Sequence, residues 1–479
     1  MIKNERQYRI TKAQIEKFSA ALQVLSTQAQ EDQTIHPLLK KAEKESLSSQ
    51  LTELIAETRE YEALQAGQRV VLELNSLEEL PQALIKARIA AGLTQKDLAE
   101  RLGLKEQQIQ RYENTEYSSV SLARLIELSH ALGIQIQEEI LLPQSSSTEL
   151  FKRLKQVGID QELVLSRFLL TPSINTSQNG ESESNLLVQA TTSLKRIFGW
   201  SFADLFGTQP LTLNPSALGT AYFKVNANAN EQRLSVYTVY AHFLALLTLE
   251  AVPNLPKRSI PTHPDKVRDE IISTYGELSL RNALKYVWSL GIPVLPLQDS
   301  GAFHGAFWRV DGRNVIVLKQ KTRSSDRWLL DLVHELWHAA QEPELAERTV
   351  IEEGDIAQDR RDSEEERKAT KFGEHIQLFG RQKELAAMCA SEAGKSIERL
   401  KKVVQKVAIR ENVSVGALAN YMAYRLSLEG VDWWGAAANL QLEETNPWEI
   451  ARDIFLENVN LGTLNEVDKA ILIRALSND

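Results

Sequence analysis

The chain has 479 residues, of which 55 are basic, 64 acidic and 43 % hydrophobic. That apolar share can build real cores and excludes wholesale disorder, while the length exceeds one compact core, so roughly two to four domains are expected. The net charge of −9 excludes a nonspecific polycation, so any nucleic-acid contact must come from a local surface.

The amino-terminal residues Met1–Gln7 lack the apolar core of a signal peptide. No run of about 18 apolar residues is read in the chain, so no membrane span is expected. Cys389 is the single cysteine, which rules out an intrachain disulfide and a CxxC metal knuckle. Together these features lead to the expectation of a cytoplasmic protein.

Residues 1–75 read as an N-terminal helical region, with Ile10, Ile15, Phe18 and Leu22 at roughly helical spacing and Gly67 as its close. Residues 69–74 suit a short strand or an extended connector. A dense block of short helices fills 80–136, within a domain taken as 80–140. Pro143 to Thr148 reads as a linker into a helical middle region, 148–260, with helices at 186–199 and 232–252. The polar stretch 171–185 lacks apolar residues and is expected to be flexible. Pro253, Pro256, Pro261 and Pro264 mark the next boundary. From 265 to 382 the pattern is a helix (265–290), strands at 292–297, 302–309 and 314–319, and a helix at 326–341. Asp311-Gly312 is a hairpin turn between the last two strands. The C-terminal region, 384–479, is helical again, and no internal repeat is read.

Within the 80–140 block, Leu84, Ile85 and Ala87 lie on a first helix ended by Gly92. Thr94 is an N-cap for a second helix, 95–102, and Gly103 supplies a tight turn into a third, 105–112. Ala99, Leu102, Leu104 and Ile109 fall where two crossed helices would meet, and a further helix, 122–132, stops at Gly133. The segments Leu93-Thr94-Gln95-Lys96-Asp97-Leu98-Ala99 and Ile109-Gln110-Arg111-Tyr112-Glu113-Asn114 resemble the XRE/Cro family of helix-turn-helix regulators. The resemblance implies a third helix in the major groove of a double-stranded operator, usually as part of a homodimer. It implies a phosphate contact for Gln95 and base-edge contacts for Glu106, Gln107 and Arg111. Glutamine can pair with adenine and arginine with guanine, and Glu106 either reads a cytosine amino group or lowers affinity. The alternative is a helix-turn-helix used only for protein contacts or dimerisation.

His334-Glu335-Leu336-Trp337-His338 is an HExxH motif among apolar residues Leu329, Leu330, Leu332 and Val333. Four residues apart on a helix, both imidazoles point the same way and can share one tetrahedral Zn²⁺. Glu335 can then act as general base for a water attacking a peptide carbonyl. A third ligand is needed, and the candidates are His304, His375 and the carboxylates Glu364, Glu365 and Glu366. Residues 265–380 resemble the ImmA/IrrE family of metallopeptidases in the order of strands, HExxH helix and ligand helix. In that family an E-x-x-A-[D/N]-like element follows the motif, and Glu366-Arg367-Lys368-Ala369-Thr370 matches it, which implies Glu366 as the third ligand. Thr370 stands where the family has an acidic or amide residue, and Trp337 where it often has glycine. His375, nine residues after Glu366, is half a turn off and a poor partner for the same metal.

Weaker features are His304, at a cleft or a solvated strand end, and strand 314–319, an internal strand or a pairing edge for an extended peptide. Asp432-Trp433-Trp434-Gly435 reads as a packing corner, Tyr421 and Tyr424 as core or rim, and Lys401, Lys402, Lys406 and Arg410 as a solvated face. The expected fold class is a mainly α multidomain chain, with an XRE-type helical domain and an α+β zincin-like domain holding a small sheet. The expected function is a DNA-binding transcriptional regulator with a zinc-dependent endopeptidase domain (manganese as the alternative metal), acting in mobile-element, toxin–antitoxin or stress control. Its expected protein substrate or partner is a repressor or a toxin. The competing reading is a noncatalytic, antitoxin-like regulator whose zincin-like domain binds a partner or ligand.

Overall fold

The computed structural model describes residues 1–28, 37–67, 72, 74, 77–136, 146–169, 181–213, 229–299, 303–320, 322–353, 364–394, 396–441 and 446–477. The chain is mainly helical, with one small mixed sheet, and divides into two compact units, Met1–Leu141 and Leu142–Asp479. The connector expected at 69–74 and the polar stretch 171–180 lie wholly or almost wholly outside the described residues.

In the first unit, α1 (Glu5–Gln28) and α2 (Pro37–Gln65) pack together, with Tyr8 and Tyr61 stacked at 5.1 Å between ring centres. Thr11 is buried and Ile15, Phe18 and Leu22 are half-buried, whereas Ile10 is 50 % exposed, so it lies off the packed stripe that the sequence suggested. Four short helices follow: α3 (Leu80–Ala90), α4 (Gln95–Arg101), α5 (Glu106–Asn114) and α6 (Leu122–Leu132). Each is too short to be stable alone, so burial must hold them. Leu84, Ile85, Leu98, Ile109 and Leu128 form that core, joined by Tyr61 and Leu64 of α2 and by Ile2. The helix starts follow local chemistry. Thr94 Oγ1 accepts from Asp97 N (3.1 Å) while the Asp97 carboxylate accepts from Thr94 N (2.8 Å), a reciprocal cap at the head of α4. Gly103, at φ 65, makes the turn between α4 and α5 in a conformation that suits glycine.

The longer helices at the start of the second unit are α7 (Ser147–Gln156), α8 (Glu181–Phe198) and α9 (Ala229–Ala251). Residues 181–185, expected within a flexible stretch, belong to α8. Its Leu187, Ala190 and Leu194 are buried, and a helix so nucleated adds polar residues at one hydrogen bond each. The helix expected over 265–290 is two helices, α10 (Pro264–Tyr275) and α11 (Leu280–Ser289). Gly276, at φ 93, ends the first, and Ser279 Oγ caps the second by accepting from Asn282 N.

The sheet has the order β1-β3-β2-β4, with β1 (Val294–Leu297), β2 (Phe303–Val310), β3 (Arg313–Lys319) and β4 (Arg348–Glu353). β1 runs parallel to β3, and β2 pairs antiparallel with both β3 and β4. Asp311 and Gly312, both at positive φ, make the β2–β3 hairpin as expected. β3 is internal, so it offers no edge to a peptide, and the edge strand β4 was not anticipated. Helices cover both faces. On one, Arg309 of β2 donates to the carbonyls of Ala339 (2.8 Å) and Gln341 (3.2 Å) at the end of α12 (Ser325–Ala340). On the other, Trp308 lies 5.6 Å from His242 of α9 and Lys319 sits 4.2 Å above the Tyr237 ring. Strands covered on both faces are apolar throughout, which suits the run Val315–Leu318, all buried.

Residues Gln232–Ala251 of α9 are long and apolar enough, by length and composition, to cross a membrane, contrary to the expectation of no such run. Val236, Tyr240, Ala241, Leu244 and Ala245 are all fully buried in this unit, and a helix largely enclosed by its neighbours is apolar over most of its surface.

Further helices are α13 (Glu364–Gln377), α14 (Gln382–Ala393), α15 (Ile397–Arg410), α16 (Val415–Ser427) and α17 (Trp434–Ala438), then α18 (Pro447–Asn458) and α19 (Glu466–Ala475). Trp433 is buried against this helical cluster while Trp434 is 39 % exposed, a packing corner. The turn between α15 and α16 closes as the turn between α4 and α5 does. Val413 N donates to Ala408 O (3.0 Å), as Leu104 N donates to Ala99 O (2.8 Å), and Asn412 takes φ 53 where Gly103 takes φ 65. Here, however, residues 416–423 of the second helix are all buried, so this turn serves packing.

Candidate functional site

In the first unit, α5 presents Glu106, Gln107 and Arg111 to solvent. Gln110 Nε2 donates to Glu106 Oε1 (2.9 Å), which ties the acidic side chain back along the helix. Below it lies a buried ion pair. Arg88 of α3 donates from Nε to Glu113 Oε1 (2.6 Å) and from Nη2 to Oε2 (2.9 Å), and neither side chain is more than 3 % exposed. Such a pair endures in a core only when its remaining hydrogen-bonding capacity is met. Arg88 Nη1 donates to Leu93 O (2.8 Å), and Gln95 Nε2 donates to Glu113 Oε2 (2.7 Å). The half-buried Gln95, read from the sequence as a phosphate contact, is thus anchored by its amide to the end of α5. Tyr117, in the turn after α5, is buried beside Glu113, and burial first, then that charge, pushes its hydroxyl well above the usual range.

In the second unit, α12 carries His334, Glu335 and His338, which are 5 %, 0 % and 0 % exposed. Its register is set by Ser324, whose Oγ accepts from Arg327 N (3.1 Å), and by the buried Trp328, Leu332 and Leu336. α13, with Ala369, Phe372 and Ile376 buried, packs against it where Gly373 meets Leu330 and Val333, and this brings Glu366 over the histidines. His334 Nε2 lies 3.1 Å from Glu366 Oε2, His338 Nε2 lies 3.5 Å from Glu366 Oε1, and the two Nε2 atoms are 3.2 Å apart. Four-coordinate zinc at about 2.0–2.1 Å from its ligands sets neighbouring donors about 3.3 Å apart. The three side chains could therefore hold a metal ion as they stand, and a His-His-Glu donor set suits zinc.

The surrounding charges favour a cation. Burial raises the Glu366 carboxyl, but hydrogen bonds to His334 and His338 outweigh it and leave the group far below the usual range. Glu365 is held at about 2, by its hydrogen bond to His338 and, against the effect of burial, by Arg348. Burial lowers His338, yet Glu365 and Glu366 carry its net shift upward.

Three more residues, Glu365, Arg348 and Gly305, complete the site. Glu365 Oε1 lies 3.2 Å from His338 Nδ1 and accepts from Arg348 Nη2 (2.6 Å). Arg348 Nη1 also donates to His338 O (2.9 Å). A carboxylate on the far nitrogen fixes the tautomer and aim of a ligand histidine. Glu365, a candidate third ligand in the sequence, instead sits on the far nitrogen of His338, and Arg348 comes from the unanticipated strand β4. Gly305 of β2 faces Glu335: a Cβ there would overlap its Oε1 and stand 3.1 Å from its Cδ. His375 lies 3.0 Å from Asp265 and takes no part in the cluster, as its spacing implied, and the side chain of His304 lies outside the described residues. Lys401, Lys402, Lys406 and Arg410 are exposed, the last two paired with Glu392, which fits a solvated face.

No curated protein matches the chain, and no solved structure does. Residues 84–138 match the family model described as helix-turn-helix, and that match supports DNA binding and transcriptional regulation by this chain.

Proposed function

We propose that this chain is a transcriptional regulator that reads an operator through α5 and carries a zinc endopeptidase centre of the ImmA/IrrE kind in its second unit. The observation behind the second half is the set of three separations, 3.1, 3.2 and 3.5 Å, among His334, His338 and Glu366. These residues would hold the ion. When bound, zinc acidifies water and polarises a carbonyl. Glu335, which follows His334 on α12, would take the proton of the attacking water and return it to the leaving amine. Its buried place beneath Gly305 confines that carboxylate. Regulation of a mobile element, a toxin–antitoxin pair or a stress response suits a protein that joins operator binding to removal of a repressor or toxin partner. A cytoplasmic setting suits the single thiol, Cys389, which burial pushes up to about 11 and renders unreactive.

The test is metal analysis of the purified chain, followed by incubation with zinc or manganese and candidate repressors, with cleavage read by mass. Glu335→Gln should keep the metal and lose cleavage, because glutamine keeps the shape but cannot accept a proton. His338→Ala should lose both. Cleavage that persists in Glu335→Gln would refute the mechanism. Stoichiometric metal with no cleavage of any candidate would assign the second unit to the noncatalytic, partner-binding role.

A further inference from the structure

α5 has nine residues, Glu106–Asn114, and a helix of that length does not hold its own ends. Its C-terminal end is gripped from far upstream. Lys3 Nζ donates to Glu113 O (2.7 Å), placing a cation on the helix's last carbonyls, where the dipole favours it. The carbonyl of the same residue, Lys3 O, accepts from Arg88 Nη2 (2.7 Å). Arg88 binds the Glu113 carboxylate, which in turn holds Gln95 at the head of α4. One residue therefore touches both the frame of the third helix and the ion pair that anchors the second. The match to the helix-turn-helix family begins only at residue 84, so this grip is an addition to that motif. The addition is braced: Ile2 is 3 % exposed in the common core, Lys3 N donates to Gln7 Oε1 (2.7 Å), and Lys86 of α3 pairs with Glu60 of α2 (2.7 Å).

We infer that Lys3 is a positioning residue for operator reading, and that the α1–α2 pair is part of the DNA-reading frame because it carries Lys3 to the end of α5. Lys3 acts through the placement of α5 and does not touch the DNA. This rests on the helix-turn-helix reading of the first unit. Base readout requires Gln107 and Arg111 to meet their edges within hydrogen-bond tolerance, so a shifted α5 loses specific contacts before it loses phosphate contacts.

The experiment uses the full chain. A random duplex pool is enriched on the wild-type protein, and the selected duplex and a scrambled one are then titrated over a salt series against wild type, Lys3→Met and Lys3→Arg. All are measured at a temperature where circular dichroism shows each variant folded. Lys3→Met should bind the selected duplex about 3–10-fold more weakly, in keeping with loss of a helix-terminal cation, and the scrambled duplex with little change. The slope of log K against log salt should stay that of wild type, and Lys3→Arg should restore affinity. A slope shallower by about 0.9 in Lys3→Met would mean that Lys3 neutralises a phosphate directly, and would overturn the inference. Unchanged affinity in Lys3→Met, or an equal loss on both duplexes, would overturn it too. If wild type enriches no duplex, the DNA-binding reading itself fails and the inference falls with it.

Discussion

Gly305 and Glu335 are in contact across the interface of β2 and α12, and the space that a side chain on residue 305 would need is filled by the Glu335 carboxylate. A Cβ on Gly305 would stand 3.1 Å from Glu335 Cδ and 3.2 Å from its Cγ, so the glycine is required by volume. Gly305→Ala should therefore push Glu335 aside while leaving the ligand set intact. The expected result is an unchanged metal stoichiometry, a loss of cleavage of about a hundredfold from a misplaced base, and a stability loss of about 1–3 kcal/mol from overpacking. Metal analysis, cleavage kinetics and urea unfolding of the variant check the three parts separately.

The Arg348–Glu365–His338 chain makes a second prediction. Glu365→Ala removes the acceptor beside His338 Nδ1 and should weaken zinc binding about 10–100-fold. Glu365→Gln should lose less, because its amide oxygen still accepts from Nδ1–H. Arg348→Ala should fall between them, since Arg348 holds both Glu365 and the His338 carbonyl. Competition with a metal chelator ranks the variants, and equal affinity in Glu365→Ala would show that His338 is aimed by packing alone.

In the first unit, the buried pair predicts a large asymmetry. Glu113→Ala leaves the Arg88 charge buried without its carboxylate and should cost about 3–5 kcal/mol in urea unfolding. The exposed residues of α5 behave otherwise: Arg111→Ala and Gln107→Ala should leave stability unchanged and relax operator discrimination by about 1–3 kcal/mol each. Gln95→Ala should weaken binding to all sequences alike. Titrations of selected and scrambled duplexes measure these, and unchanged discrimination in the Arg111→Ala, Gln107→Ala double variant would remove α5 from base readout.

Glu374, on α13, predicts a pH dependence of stability. Burial, opposed by Lys371 and Arg425, pushes its carboxyl up from 4.5 to about 7. The folded state thus binds the proton more tightly than the unfolded state. Its contribution is complete below about pH 4.5 and is lost as pH rises toward 7, after which the cost is constant. Glu374→Gln should match wild type near pH 4.5 and exceed it by about 1–3 kcal/mol above pH 7. Paired urea titrations across that window test the sign, and a gap that shrinks with rising pH would reverse the assignment.

Local periodicity made much of this protein legible. The four-residue spacing of His334 and His338 puts both rings on one helix face whatever surrounds them, and the Thr94 cap, the Gly103 turn and the Asp311-Gly312 hairpin depend on a few adjacent residues. Glu366 was reached through its resemblance to a family element, not from periodicity. Tertiary structure decided the rest, because the partners lie far apart in the chain. Glu365 meets Arg348 only once β4 takes the sheet edge, Gly305 is needed only because α12 lays Glu335 over β2, and Lys3 reaches Glu113 across 110 residues through the α1–α2 pair. The same turn geometry at α4–α5 and α15–α16 leaves one second helix exposed and the other buried, and only packing against neighbouring elements separates a helix that can enter a groove from one that fills a core.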